Sequence, residues 1–556
     1  MQKIFFYFSL LIIIVVSSCK GKEEKTPVPV DEADGLATFS IDSLSKHIAV
    51  LSGDDFLGRK PFTEGETKTI NYLKDQFIAA GLKPGNDTSY LQNVPMVRIT
   101  TNATAQMQVQ ASKEKFTLKG REDYVVWTDK TDPAITAKDV DLVFAGYGVV
   151  APEYNWNDYA GLDVKGKIVL VLVNDPGFNT GDSSLFKGKT MTYYGRWTYK
   201  FEEAARQGAK GCLIIHSTEA ASYPFAVVQN SWNTSKLRLD NRGKQETLCD
   251  IVGWISSPAA KKLLSAAGKD TTLLTTADTR GFKGEDLGLK ISVDMKIKTE
   301  YNLSHNVIGK VTGTKHPDEV IVYTAHWDHL GIGTPDETGD SIYNGALDNA
   351  SGTAGLLELA RAFTSMKTKP ERTIVILAVT AEEQGLWGSS YYAQNPVYPV
   401  AKTLANINMD GLTWYGKTKD IIMIGKGQND LEDILIEEAK KQDRVIAFEV
   451  HPEAGYYYRS DHFNFAKAGI PSLYTEGGTD VAGHGTDYGK AKIDEYSAKN
   501  YHRPSDEYDS TWVLDGAIED LKLMFQVGKR LSFTGKWPEW KEGSEFKAIR
   551  EKQLKQ

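Results

Sequence analysis

Four short, almost wholly apolar runs in the second half of the chain constrain its fold more than any other feature: residues 320–325, 374–380, 404–409 and 471–475. Each is too short for a core helix and lacks the polar alternation of a strand with one wet face. Such runs are strands buried on both faces, as in a mostly parallel sheet. Between them lie helices. Ser351 opens one whose Leu356, Leu359, Ala360 and Phe363 share a face, and Leu431 to Lys441 forms another. The alternation predicts an α/β domain. An earlier helix carries Ile70, Leu73, Phe77 and Ile78 with a stop at Gly81, and a final one runs from Asp515 to Leu531. The polar residues after Ser544 are expected to fray.

Between about 125 and 290 the pattern changes to short β runs at 140–144, 168–173 and 212–215, with one helix at 198–207 closed by Gly208. Asp175 and His216 stand alone here and read as solvated turn residues. Cys212 and Cys249 could pair in an oxidising compartment, but the apolar Gly-Cys-Leu-Ile-Ile favours buried free thiols.

At 556 residues the chain exceeds one ordinary core, and 41% hydrophobic with 25% charged residues excludes wholesale disorder. A net charge of -8 argues against a nucleic-acid partner. The apolar run Ile4 to Val16 is too short to span a bilayer and fits the core of a signal peptide, residues 1–18. Val-Ser-Ser-Cys resembles a bacterial lipobox, which implies a lipid anchor at Cys19, an extended tether over 19–38, and a place in the bacterial cell envelope, on an outer membrane facing periplasm or cell surface.

Chemistry gathers after the apolar runs. His326 follows the first, Glu382-Glu383 the second and Asp410 the third, so all emerge at the carboxyl edge of one sheet, where open α/β sheets bind ligands. Asp348 lies in the Gly-rich Asn-Gly-Ala-Leu-Asp-Asn-Ala-Ser-Gly before a helix, where close approach is possible. Alone, each fragment is an ordinary loop. Together, flanked by apolar residues, they are carboxylates that need partners. With Asp328 and a further His they supply the parts of a two-metal hydrolytic site. Spacing leaves His502 and His462 as rivals for the last ligand position; His484 reads as a loop residue.

Ala-His-Trp-Asp-His, Leu-Asp-Asn-Ala-Ser-Gly, Ala-Glu-Glu-Gln-Gly-Leu-Trp-Gly-Ser, Asn-Met-Asp-Gly and Tyr-His-Arg-Pro-Ser-Asp, in that order between Asn306 and Asp509, resemble the zinc-dependent exopeptidases that include bacterial leucyl aminopeptidases and glutamate carboxypeptidases. The resemblance implies a three-layer α/β/α zinc-peptidase domain binding two Zn2+, with Mn2+ or Co2+ as substitutes. It implies Asp348 as bridge, His326 and Asp410 on one ion, Glu383 and His502 on the other, Glu382 as general base, and Asp328 orienting His326. Tyr458, Arg459, Asp461 and His462 would line the substrate pocket, with a phenol from Tyr456 to Tyr458 for the tetrahedral intermediate. The middle block resembles a protease-associated domain, with Phe-Ala-Gly-Tyr-Gly-Val at 144–149 and Gly-Lys-Ile-Val-Leu-Val at 166–171. Leu-Ser-Gly-Asp-Asp-Phe-Leu-Gly-Arg at 51–59 resembles the start of the peptidase domain. The expected order is peptidase 39–124, β-rich insert 125–290, peptidase 291–535 and tail 536–556. The expected activity is removal of N-terminal residues from peptides. A carboxypeptidase or dipeptidase is the first alternative, with Arg459 holding a carboxylate, and an inactive binding protein the second.

Overall fold

The structure is a computed structural model that describes residues 31–244, 246–449 and 451–555. The signal peptide, Cys19 and residues 19–30 of the expected tether lie outside the described residues.

Seven strands form the sheet that carries the site: β1 (Glu285–Val311), β2 (His316–His326), β3 (Arg372–Val379), β4 (Thr403–Asn408), β5 (Asp420–Met423), β6 (Val445–Phe448) and β7 (Ser472–Gly477). Their spatial order is β1-β3-β2-β4-β7-β5-β6. The four central strands β3, β2, β4 and β7 are mutually parallel, while β1 and β5 flank them antiparallel. The sheet is therefore mostly parallel, and the carboxyl ends of its centre share one edge.

Helices cover both faces, which is why the central strands are continuously apolar. Ile321, Tyr323, Ile374, Ile376, Ala405 and Ile407 point to one face, packing with α1 (Glu64–Ala79), α2 (Gly352–Ser365), α3 (Leu431–Lys441) and α4 (Asp515–Phe533). Val320, Val322, Val375 and Leu377 point to the other, against Tyr392 and Phe465. In α1 the periodicity holds for Ile70, Leu73 and Phe77, but Ile78 is exposed, since it falls one position beyond the buried stripe.

The strand β1 is 27 residues long and passes through position 291 without a break. It pairs along Leu91–Ala103, with Ala134–Phe144 near its start and with β3 near its end. The middle block thus shares a strand with the seven-stranded sheet. It carries a parallel set of its own, Ala134–Phe144, Ile168–Leu172, Gly211–Ile215 and Ile251–Ile255. The helix Trp197–Arg206 covers one side. A second helix, Ser257–Ala266, covers the other; the Ser256 side chain caps it by accepting from Ala259 N, and Ala259, Ala260, Leu263 and Leu264 form its buried stripe. Cys212 and Cys249 are buried free thiols.

Three expectations are corrected by long-range contacts. Asp175 is fully buried, accepting from Thr192 N and Oγ1, beside the equally buried Lys200; His216 is buried too, bonded to the Tyr223 carbonyl at 3.0 Å. Residues 31–38 of the expected tether dock on the main α/β body: Asp34 accepts from Lys367 N and Thr368 N, and Lys529 Nζ donates to the Asp31, Glu32 and Asp34 carbonyls. The segment after Ser544 does not fray. Lys547–Leu554 is helical, and Trp540, Phe546 and Arg550 are buried, with the Arg550 guanidinium on the Val400 and Thr403 carbonyls.

Candidate metal centre

Each strand end delivers its side chain to one small volume. His326, the last residue of β2, places Nε2 3.1 Å from Asp410 Oδ1 and 3.3 Å from Asp348 Oδ1. On the other side of Asp348, His502 Nε2 is 3.1 Å from Oδ2 and 3.2 Å from Glu383 Oε2. The two oxygens of Asp348 therefore face different imidazoles, each completed by a different second carboxylate. That is the geometry of a bridge. Donors around a tetrahedral ion with bonds of 2.0–2.2 Å stand roughly 3.3 Å apart, which these separations match. The donor set, imidazole and carboxylate, suits zinc.

The loop of Asp348 is held from three directions. Asp506 accepts from Leu347 N and Asp348 N. Asn349 accepts from Gly352 N and Gly411 N and donates to the Met409 carbonyl, tying this loop to that of Asp410. Only glycine fits at 352, because a Cβ there would stand 2.2 Å from Asn349 Oδ1. The buried Arg59 supports the loop from below through the Gly345 carbonyl. Asp410 is steadied in turn: its Oδ2 accepts from Ser460 Oγ at 2.6 Å, and Ser460 accepts from Asn408 Nδ2.

Glu382 and Glu383 follow β3 through Ala381, whose φ of 52° turns the chain inward. Glu382 Oε2 lies 3.9 Å from His326 Nε2, outside bonding distance, and its backbone N–H donates to Asp328 Oδ1 at 3.0 Å. The role expected of Asp328 is thereby revised. The His326 Nδ1 partner at 3.1 Å is the Asp328 backbone carbonyl, with the carboxylate 3.8 Å away, so the Asp328 side chain fixes the Glu382 turn instead.

Charges in the cluster are strongly coupled. Burial opposes the imidazolium form of His326, yet Asp410, Glu382 and Asp348 hold its pKa well above the ordinary value; Glu383 and Asp348 do the same for His502. Burial pushes Glu382 well above the usual carboxylate range, against the pull of His326. Glu383 goes the other way, to about 2, because His502 and His329 outweigh its burial. Adjacent glutamates thus stand in opposite electrostatic settings.

Residues 306–525 match Peptidase family M28. Curated relatives of this chain include a probable zinc metalloprotease of Leptosphaeria maculans, 44% identical over 16% of this chain and 20% of its own length. A glutamate carboxypeptidase 2 homolog of Caenorhabditis elegans is 24% identical over 83% and 62%, and the aminopeptidase YwaD of Bacillus subtilis 32% over 34% and 39%. The chain spans less than two thirds of the length of each.

Within the M28 region the structure also separates the rivals. His462 is fully buried between Tyr457 and Tyr474, ring centroids 4.7 and 4.9 Å away, and apart from the cluster. His484 is exposed and stacks on Tyr488. His329, which the sequence pattern did not single out, is fully buried with Nδ1 2.6 Å from Glu383 Oε1, and His329, Asp348 and Glu383 form a second group close enough to hold an ion; the His-Trp-Asp-His spacing is its signal in the sequence. Tyr458 donates to Glu545, away from the cluster, whereas Asp461 is buried behind it, one oxygen accepting from Ser389 Oγ and the other without a partner among the described residues. The phenol beside the cluster belongs to Tyr501, stacked on His502 at 3.9 Å.

Burial lowers the His462 pKa from 6.5 to about 3. As pH falls the unfolded chain therefore takes up this proton first. The stability this neutral ring contributes is complete above about 6.5 and is lost as pH falls towards 3, with a slope approaching about 1.4 kcal/mol per pH unit. His462→Gln is expected to flatten the dependence of the urea midpoint on pH between 4 and 6.5; equal slopes in the two proteins would contradict this.

Proposed function

We propose that the chain is a two-zinc aminopeptidase of the bacterial cell envelope, anchored through Cys19. The observation that carries the metal reading is Asp348, with one oxygen toward His326 and Asp410 and the other toward His502 and Glu383. Relatives named zinc metalloprotease and aminopeptidase support it, and the lipobox-like start supports the location.

Bound ions would polarise the peptide carbonyl and lower the pKa of water. Glu382, beside the ligands but outside bonding distance of His326, accepts the proton of the attacking water and returns it to the leaving amine. Tyr501 is 51% exposed, but its surroundings and the four site carboxylates push the hydroxyl pKa well above its ordinary value, so it stays protonated and able to donate to the oxygen that gains charge. Ser460 keeps Asp410 in place, and Asp328 keeps the Glu382 turn in place.

A second reading rests on two arginines. Arg196, from the middle block, is pushed down to about 9 by burial and then by Arg459, with Glu382 and Tyr501 among the groups that oppose this. Arg459 leaves its buried Nε without a hydrogen-bond partner among the described residues. Two neighbouring guanidinium groups, of which Arg196 feels the charge of the general base, would fit the free carboxylate of a short peptide, as a dipeptidase or carboxypeptidase would need. Met191 N on the Pro452 carbonyl at 3.1 Å, and Tyr193 against Phe463, dock the Arg196 segment on the region that carries the cluster.

The two readings separate on a substrate panel with zinc restored after chelation. We expect a free amino group to be required, and a dipeptide to have a KM about tenfold below that of its C-terminal amide, a difference erased by Arg196→Ala or Arg459→Ala. Turnover of N-acetyl peptides would replace the aminopeptidase by a carboxypeptidase, and equal KM values for acid and amide would remove the arginine subsite.

A further inference from the structure

Arg59 is 1% exposed, yet among the described residues no carboxylate bonds it. It ends a short turn, Asp54–Arg59, in which Leu57, Gly58 and Arg59 itself all have positive φ, and this turn drives its side chain into the interior. Each hydrogen bond its side chain makes to the described residues goes to a backbone carbonyl. Nε donates to Trp327, Nη1 to Leu51 and Asn344, and Nη2 to Gly345. Trp327 lies between His326 and Asp328; Asn344 and Gly345 enter the loop of Asp348. One planar fork therefore spans the two loops that supply the first ligand and the bridge.

Burying a cation without a bonded anion is costly unless anions stand close by. Burial lowers the Arg59 pKa to about 10, and the charges that resist it belong to Asp506, Asp328, Asp348 and Glu383. Asp506 clamps the far side of the same loop through Leu347 N and Asp348 N. The segment Asn344–Asp348 is thus threaded between a cation that takes its carbonyls and an anion that takes its N–H groups.

We propose that Arg59 is a positioning residue of the metal centre, setting the distance between the His326 and Asp348 loops. The inference rests on the reading of the cluster as a metal site. A lysine can replace the charge but not the rigid fork that reaches four carbonyls at once. Distant supports of metal ligands change affinity by about 10- to 100-fold when removed.

The test is zinc affinity by chelator competition on the full chain, with cobalt absorption as a second readout of ligand geometry. Unaltered protein that binds no zinc would overturn the metal reading itself. Given zinc binding there, Arg59→Lys is expected to weaken it about tenfold or more and to shift the cobalt bands, with the far-ultraviolet circular dichroism retained. A role in packing alone would lower the thermal midpoint of zinc-free and zinc-loaded protein alike and leave affinity within about twofold, which would overturn the proposal. Failure of Arg59→Lys to fold with cobalt present would also overturn it, because the residue would then belong to the core and not to the ligand loops.

Discussion

Replacing Asp348 with alanine is expected to abolish peptide hydrolysis and to strip bound metal from the protein together, while the fold survives. The backbone of residue 348 is fixed independently of its side chain, through the Asp506 carboxylate on its N–H and Asn349 on Gly352, Gly411 and Met409. What alanine removes is the pair of oxygens lying 3.1 to 3.3 Å from His502 and His326. Each half of the cluster then has one imidazole and one carboxylate left from this set, and nothing connects the halves. Loss of the several kcal/mol of charge stabilisation that two ions supply corresponds to roughly 10³-fold or more in kcat/KM. Zinc per chain and kcat/KM on an aminoacyl substrate read the result, and His484→Ala, an exposed residue outside the cluster, is the control expected to keep most activity. Full zinc content in Asp348→Ala would end the description of this carboxylate as a bridge.

The frame of this site was legible in the sequence because burial on both faces writes itself into continuous apolar runs. The four central strands and the helix Leu431–Lys441 stand within a few residues of where the runs place them; His326 ends its strand, and Glu382, Glu383 and Asp410 lie within a few residues beyond theirs. What local patterns do not carry is the identity of distant partners. Asp175 and His216 look solvated beside their own neighbours, but Thr192 and Tyr223 bury them. Trp540, Phe546 and Arg550 look like a polar tail until the Gly469, Val400 and Thr403 carbonyls are found opposite them. The supports of the site were hidden for the same reason. Arg59 reaches across 268 residues to Trp327, and Asp506 reaches back 158 to Asp348. The Tyr456 to Tyr458 run stands out in the sequence as a source of the phenol, whereas Tyr501 owes its place beside the cluster to stacking on its neighbour His502.

Glu382→Gln should separate catalysis from metal binding. The substitution preserves size, and the backbone N–H that Asp328 accepts is untouched, so the turn after β3 keeps its shape. The amide cannot take a proton from water, and loss of a positioned general base lowers kcat by about 10²- to 10⁴-fold. KM and zinc content are expected to hold, because Glu382 lies 3.9 Å from His326 and outside the distances that define the two halves of the cluster. The neighbouring change, Glu383→Gln, is expected to behave in the opposite order. That carboxylate lies against His502 and His329 and is held ionised by them, with a pKa near about 2, so its neutralisation should release metal first and activity with it. Two substitutions one residue apart would then fail in different ways, one inactive and loaded, the other inactive and empty. If Glu382→Gln loses zinc as readily as Glu383→Gln, the two carboxylates share one role, and the proton must be carried by another group.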